Sequence, residues 1–460
     1  MGRREIFIAI LGLFIGGIVL VILLSPRVTE WMPQTKFPSA WEPITVTFSR
    51  PISIDKPEEI MTLSPAVEGE FSVSGKQLIF QPLEPFISGQ TYAVTLGENL
   101  KGRNGLPVLG GKEWSFTVGD PRLIYLREED ETTNLWLQEE GEERQLTQEV
   151  GGIWDYHAAP NGQGIIYSAL DDDGTIDLIQ LTFDERRMEL LDCKDSRCTA
   201  GRWQPDGNLL AFERQRLGDT QEQSEVWLLN IEGGELSPAH DPDLLAESGF
   251  DSLTSHSARW SADGRYLSYF KPDARVLIVI DFAGNAMQLI PANLEIMGDW
   301  SPMAYKLAYT ELTFGQQSNH EHEDELGDVI THANTNLYSH LVLTDIEEGK
   351  SVDLSQDKEV DDGAPAWHPD GSSIATGRTF TGSGRQMWIL TLGDGESRAL
   401  TDDPFNHHTS PAWSPDGNKL AFMQVESAEV GGSPDIWILD VDEGEMALAA
   451  KNAFMPNWWP

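Results

Sequence analysis

Trp203-Gln-Pro-Asp-Gly207, Trp260-Ser-Ala-Asp-Gly264, Trp300-Ser-Pro-Met-Ala304, Trp367-His-Pro-Asp-Gly371 and Trp413-Ser-Pro-Asp-Gly417 are five versions of one phrase. A degenerate copy, Ala158-Ala-Pro-Asn-Gly162, precedes them, and a truncated one, Trp458-Trp459-Pro460, follows. The copies recur at roughly 45-residue intervals, lengthened in two of them, which is the period of one four-stranded blade of a β-propeller. Each phrase leads into an apolar strand such as Leu209-Leu-Ala-Phe212 or Lys419-Leu-Ala-Phe422. A second strand follows, such as Glu225-Val-Trp-Leu-Leu-Asn230 or Asp435-Ile-Trp-Ile-Leu-Asp440, then a Gly-containing turn and an edge strand.

The phrase has a local physical reason. Pro presets a turn φ, Asp accepts from a nearby backbone N–H, and Gly takes positive φ. Asp206, Gly207, Asp263, Gly264, Asp370, Gly371, Asp416 and Gly417 are therefore read as turn residues and not as a ring of carboxylates. Trp203, Trp260, Trp300, Trp367, Trp413 and Trp458 are read as packing between blades, because indole buries a large apolar area. Carbohydrate stacking is reserved for exposed tryptophans, with Trp154 and Trp459 as the candidates.

Six copies are complete. The strands missing from a seventh lie before the first phrase, at Leu123–Leu126, Asn134–Leu137 and Arg144–Thr147, and Met455–Trp458 supplies the fourth. The prediction is seven blades, the last closed by one C-terminal and three N-terminal strands, with six as the alternative count. Such closure leaves no sheet edge open to pairing with another chain. The phrase resembles the W-S-P-D-G signature of WD40-like propeller repeats in the TolB family and in prolyl-oligopeptidase-type peptidases, over residues 121–460. TolB-type propellers usually have six blades, so seven departs from that pattern.

Upstream, Ile44–Phe48, Gly69–Val73, Gln77–Phe80, Tyr92–Leu96 and Trp114–Val118 alternate apolar and polar residues between Pro- and Gly-marked turns. That is the pattern of an antiparallel β-sandwich. "PITVTFSRPI", the stretch from Leu63 to Leu96, and "GLPVLGGKEWSFTV" together resemble the SbsA-type bacterial Ig-like domain. The resemblance implies a spacer or display role and carries over no site residue. Residues 28–120 are assigned to this module, making the chain all-β apart from its N-terminus.

Ile6–Leu24 carries no charge and is long enough to cross a bilayer core of about 30 Å as a helix. Arg3 and Arg4 precede it, which places the N-terminus in the cytoplasm and the rest of the chain outside. The exit Leu23-Leu24-Ser25-Pro26-Arg27 lacks the small-residue pattern of a cleavage site, so residues 1–27 are read as a cytoplasmic tip and an uncleaved signal anchor.

The 460 residues carry 32 Lys+Arg against 74 Asp+Glu, a formal net charge of −42, which argues against nucleic-acid binding through a basic surface. The first 27 residues are net positive, so the acidity belongs to the exported part, where it favours solubility and cationic partners. The 2 cysteines, Cys193 and Cys198, are expected to form a small-loop disulfide outside the cytoplasm.

No G-x-S-x-G elbow, H-E-x-x-H motif or phosphate-binding glycine loop occurs, and only one residue follows Trp459, so no α/β-hydrolase domain is expected after the propeller. No catalytic or cofactor-binding residue is assigned. The insertion Gly315–Thr335 holds His320, His322 and His332 among acidic residues, and they are the only metal-ligand candidates, set against a plain solvated loop. A calcium reading of Asp171-Asp-Asp-Gly174 yields to a hairpin turn. The expectation is a non-enzymatic, membrane-anchored extracytoplasmic protein whose propeller binds a protein, peptide or glycan. The alternatives are a glycan-active propeller enzyme using channel carboxylates and a sensor ectodomain.

Overall fold

The computed structural model describes residues 21–459 apart from 22, 34–39, 55–59, 98–99, 110, 120, 140, 160–163, 183, 206, 219–222, 240–253, 285, 295–297, 315–317, 324–328, 335, 357–358, 381–382, 394 and 427–431. For 318–323 and 329–334 it describes the backbone alone. Most of the apolar run Ile6–Leu24 lies outside the described residues, and among those described no helix is long and apolar enough to cross a membrane. The chain divides into two compact units that meet at Asp120–Pro121.

The first unit is a sandwich. One antiparallel sheet has the order Val28–Met32, Ile44–Phe48, Gln77–Pro82, Gly69–Ser74, and another has Met61–Ser64, Thr91–Leu96, Lys112–Thr117. Alternation decides the faces: Ile44, Val46 and Phe48 are buried, as are Leu78 with Phe80 and Tyr92 with Val94. Phe86, Tyr92 and Phe116 form the aromatic centre, with ring centroids 4.9–5.7 Å apart. Val28–Met32 and Met61–Ser64 were not foreseen, because each is a short edge strand with only partial burial to mark it.

The second unit is a succession of four-stranded antiparallel meanders. The copy Asn406–Trp413, Lys419–Glu426, Asp435–Asp440, Met446–Ala450 shows the order that the repeat predicts. Two neighbouring meanders, beginning at Ile153–Ala158 and Ser196–Trp203, join into one sheet through a parallel bridge between Ile176 and Arg197. In the longest copy an extra ribbon, Ser318–Glu323 paired with Val329–Asn334, is inserted between Lys306–Phe314 and Leu337–Asp345. Ala453–Trp459 pairs with Arg122–Glu129, setting Trp458 opposite Leu123 and Trp459 opposite Arg122. This joins the C-terminal strand to Thr132–Glu139 and Glu142–Gln145 in one sheet. The inner strands Ile153–Ala158, Ser196–Trp203, His256–Trp260, Asp299–Trp300, Ala366–Trp367, Asn406–Trp413 and Ala453–Trp459 touch one after another and close into a ring.

The repeat residues link the copies. Trp260 Nε1 donates to Arg202 O (3.1 Å), Trp300 to Arg259 O (3.2 Å), Trp367 to Asp299 O (3.0 Å), Trp413 to Ala366 O (3.2 Å) and Trp458 to Ala412 O (3.0 Å). Each indole thus satisfies a carbonyl of the preceding inner strand. Where Ala158 replaces tryptophan, the Tyr156 hydroxyl reaches the carbonyls of Ile124 (2.9 Å) and Met455 (2.5 Å) instead. The turn glycines need both positive φ and space: Gly417 has φ 81°, and a Cβ there would lie 2.3 Å from His368 Nε2. His368 Nε2 is 3.1 Å from Gly417 O, and Gln204 Nε2 donates to Gly264 O (2.9 Å), so the variable second residue of one phrase meets the glycine of the next.

Candidate functional site

The repeat tryptophan and the residue before it lie on opposite faces of the inner strand, since side chains alternate along a strand. The tryptophans pack between sheets; the preceding residues, His157, Arg202, Arg259, Asp299, Ala366, Ala412 and Asn457, are all half-buried. Three residues before the tryptophan, Ala200, Ser257, Ser410 and Met455 repeat a left-handed backbone, with φ 54°, 64°, 53° and 55°, and the pairing register slips at each. A non-glycine residue held there costs about 1 kcal/mol or more and persists only where its surroundings impose it. In two copies a carboxylate does so. Asp155 Oδ2 accepts the amide of Ala200 (2.8 Å), and Glu213 Oε1 accepts that of Ser257 (2.8 Å).

These constraints gather Asp155, His157, Arg202, Glu213, Arg259 and Asp299 in one arc of the ring of inner strands. Arg202 Nη1 donates to Gly201 O (2.8 Å) and Arg259 Nη1 to Ala258 O (2.7 Å), the same arrangement in consecutive copies. Burial lowers the Arg259 pKa to about 9, and the Arg202 charge adds to that shift while Asp299, Glu213 and Asp155 oppose it. Burial also lowers Arg202. His157 is held well below the ordinary histidine value, first by burial and then by the two guanidinium groups, and its Nδ1 is buried without a hydrogen-bond partner. Glu213 and Asp299 are pushed up by burial. Two buried guanidinium groups, beside carboxylates that already cap backbone amides, can receive a carboxylate or another planar anion.

None of these six residues was singled out from sequence. A signal was available for four of them: aligned on their tryptophans, the copies share the phrase itself but diverge at the position before it, from His157, Arg202, Arg259 and Asp299 to Ala, Ala and Asn, whereas Asp155 and Glu213 stand elsewhere in their copies.

Cys193 and Cys198 are joined in a disulfide, buried beside Ile166, Leu178 and Trp203, and Asp177 accepts the Cys193 amide (2.8 Å). His320 stands opposite His332 in the inserted ribbon, and His322 opposite Ile330. Asp206 lies outside the described residues. Asp263 Oδ1 accepts from Ser261 Oγ (2.8 Å) and Arg265 N (3.0 Å), and Asp416 Oδ1 from Ser414 Oγ (2.5 Å) and Asn418 N (3.2 Å), each within its own turn, while Asp263 Oδ2 accepts from the Tyr305 hydroxyl of the next copy (2.6 Å). Asp171–Gly174 is a hairpin turn in which Asp173 accepts from Thr175 N and Oγ1. Of the two proposed carbohydrate-stacking residues, Trp154 is 66% exposed but Trp459 is 0% exposed. Trp459 is thus corrected from ligand contact to core, because the closing strand turns it into the apolar interior with Ile124 and Tyr167. A separate cavity of about 280 Å³ is lined by Glu129, Asp130, Asn134, Trp136 and Glu149, and none of the sequence-selected residues reaches it.

Residues 25–118 match the family model of the bacterial Ig-like domain, and residues 329–458 match that of the TolB beta propeller domain. No curated protein matches the chain. Among solved structures it is similar to TolB from Acinetobacter baumannii, at 12% identity and a TM-score of 0.44, covering 87% of this chain and 83% of that one. It is also similar to a puromycin-hydrolyzing peptidase from Mycobacterium tuberculosis, at 11% identity and a TM-score of 0.50, covering 91% of this chain and 57% of the peptidase. An oligogalacturonate lyase from Vibrio parahaemolyticus is similar at 17% identity and a TM-score of 0.40, covering 65% of this chain and 73% of the lyase. The chain therefore carries a bacterial Ig-like domain followed by a TolB-type β-propeller domain.

Proposed function

We propose that this chain is a binding and scaffold protein of the cell envelope, in which the Ig-like domain is a spacer and the propeller receives a carboxylate-bearing protein, peptide or glycan at its channel. The apolar run Ile6–Leu24 serves as the single membrane anchor, with the bulk of the chain outside. The propeller is read as seven-bladed, the closed ring of inner strands being the support for that count. The observation that carries the binding reading is the buried cluster in which the Arg202 and Arg259 guanidinium groups meet Asp155, Glu213 and Asp299, polar donors and acceptors gathered at one place on the ring of inner strands.

Titration of the purified full chain with acidic peptides and oligouronates tests it. A carboxylate ligand should bind, and the double variant Arg202→Gln, Arg259→Gln should weaken it by about 100-fold, as expected when two charge-assisted contacts are lost. Equal affinity in the double variant defeats the reading. External protease applied to intact cells tests the topology; a protected propeller would overturn it.

A second reading is favoured by one observation, the raised pKa of Glu213 and Asp299 beside two arginines, an arrangement suited to proton transfer on an acidic sugar. Turnover of uronate polymers that is lost in Glu213→Gln would establish it in place of simple binding.

A further inference from the structure

The outer strand of each repeat has a strand neighbour on one side only, and such an edge presents N–H and C=O groups to any extended chain. Natural sheets blunt an edge with charge or proline. Glu142–Gln145, Arg187–Leu191, Lys350–Asp353 and Ser397–Ala399 each contain a charged residue, and Leu236–Pro238 and Ala286–Pro291 each end in proline. Met446–Ala450 has neither: it reads Met-Ala-Leu-Ala-Ala, with Met446 39% and Leu448 40% exposed. Among the described residues it pairs with Asp435–Asp440 alone. Its ladder decides which groups face outward. Asp440 N donates to Glu445 O (2.9 Å), and antiparallel bonds recur at every second residue, so Ala447 faces Ile438 as a hydrogen-bonded pair. The N–H and C=O of Met446 and Leu448 therefore point away from Asp435–Asp440. Past them the register shifts at Ala449, and Gln138 Nε2 donates to the Ala449 carbonyl (3.1 Å), which closes that end of the edge.

We propose that Met446–Leu448 is a self-complementary pairing edge through which two copies of this chain associate. Two such segments running antiparallel about a two-fold axis at Ala447 set Met446 of each copy opposite Leu448 of the other, in hydrogen-bonded pairs that use the outward-facing groups. Four exposed apolar side chains gain apolar partners. The small Ala447 meets its counterpart at the crossing, where an antiparallel pair comes closest. The same register carries Glu443, exposed before the strand, toward Lys451 of the second copy, exposed after it, so the acidic end of one edge meets the basic end of the other. Each copy has one edge of this kind, and an isologous contact consumes it, so association stops at a dimer. The pairing is independent of the ligand proposed for the arginine cluster.

The test uses the full chain in detergent with one cysteine introduced, since Cys193 and Cys198 are already joined. Ala447→Cys should give a disulfide-linked dimer on mild oxidation, because opposed positions of the non-hydrogen-bonded kind have Cα atoms about 4.5 Å apart, within disulfide reach. Val352→Cys, 58% exposed on the charged outer strand Lys350–Asp353, should remain monomeric. Adding Leu448→Lys to Ala447→Cys should cut the crosslinked fraction by at least about 5-fold, lysine being a residue that blunts edges. Because Leu448 is exposed, circular dichroism should show that variant folded. Glu443→Lys and Lys451→Glu should each lower the fraction by about 2-fold, and the two changes together should restore it, a rescue that damage to the fold would not produce. No crosslink in Ala447→Cys, equal crosslinking in Val352→Cys, or an unaltered fraction with Leu448→Lys would each overturn the edge. A chain that stays monomeric while this strand captures another protein would overturn it as well.

Discussion

Two arcs of the propeller ring use one scaffold differently. In the arc of His157, Arg202, Arg259 and Asp299, the position before the tryptophan is ionisable; in the arc of Ala366, Ala412 and Asn457 it is small or neutral. The second arc does contain buried charge, but in another form. Arg378 holds Asp362 in a two-pronged pair, Nε to Oδ1 at 2.7 Å and Nη2 to Oδ2 at 2.9 Å, with side chains 3% and 0% exposed, and Ser355 Oγ adds a third bond at 2.5 Å. A closed pair of this kind ties Val360–Asp362 to Ser373–Phe380 beside the inner strand. The charges of the first arc instead act on one another across three successive repeats. Matched charge buried in sheet is architecture, whereas the crowded charge of the first arc is what the proposed binding reading rests on.

The comparison can be broken most severely at the closed pair. Arg378→Met strands the Asp362 carboxylate in the interior and should cost about 3–5 kcal/mol of stability by denaturant unfolding. The double change Arg378→Met, Asp362→Leu should recover most of that loss, because no unpaired charge then remains. A small effect of the single change would mean that the pair is dispensable and the contrast between arcs false.

A middle-sized effect separates two tryptophans of the same repeat. Trp413→Phe leaves the Ala366 carbonyl without its indole donor and should cost about 1–3 kcal/mol. Trp203 Nε1 is buried without a hydrogen-bond partner, so Trp203→Phe relieves an unsatisfied donor and should cost less. Equal losses in parallel unfolding measurements would show that indole volume, and not the bond, matters at both places.

The smallest expected effect is a pH slope. The folded-state pKa of His157 is depressed, so below the ordinary value of about 6.5 the unfolded chain binds a proton that the folded chain refuses. Its contribution to stability is therefore lost as pH falls from about 6.5. Glu213 and Asp299 have the opposite sign: their folded pKa values are raised, so they weaken the fold as pH rises from about 4. Comparing wild type with His157→Gln isolates the histidine. The variant should lose a slope of at most about 1.4 kcal/mol per pH unit between pH 6.5 and 5. Identical slopes would mean that His157 titrates normally.

Much of the fold was legible because its causes are local. The P-D-G turns need particular residues regardless of what surrounds them, and strand alternation marks Ile44–Phe48 as clearly as Asp435–Asp440. Even the pairing of Ala453–Trp459 with Arg122–Glu129 could be read, since an incomplete repeat at each end has one way to be completed. The short edge strands of the Ig-like unit escaped because four or five residues are too few for their pattern to stand out from a loop. The channel cluster escaped for another reason. Asp155 is bonded to an amide 45 residues away and Glu213 to one 44 residues away, so neither carboxylate has a local motif.

By itself the sequence determined the repeat, its turn chemistry, the order of strands and the two domain types, all of which follow from short-range stereochemistry and the period of burial. Tertiary structure alone decided that Trp154 meets solvent while Trp459 enters the core, and that Arg378 is sealed against Asp362. It alone set Arg202 where its charge lowers the pKa of Arg259 in the next repeat, and put His320 opposite His332. Solvation and charge interaction depend on distances between residues remote in the chain, and those distances exist only once the sheets are assembled.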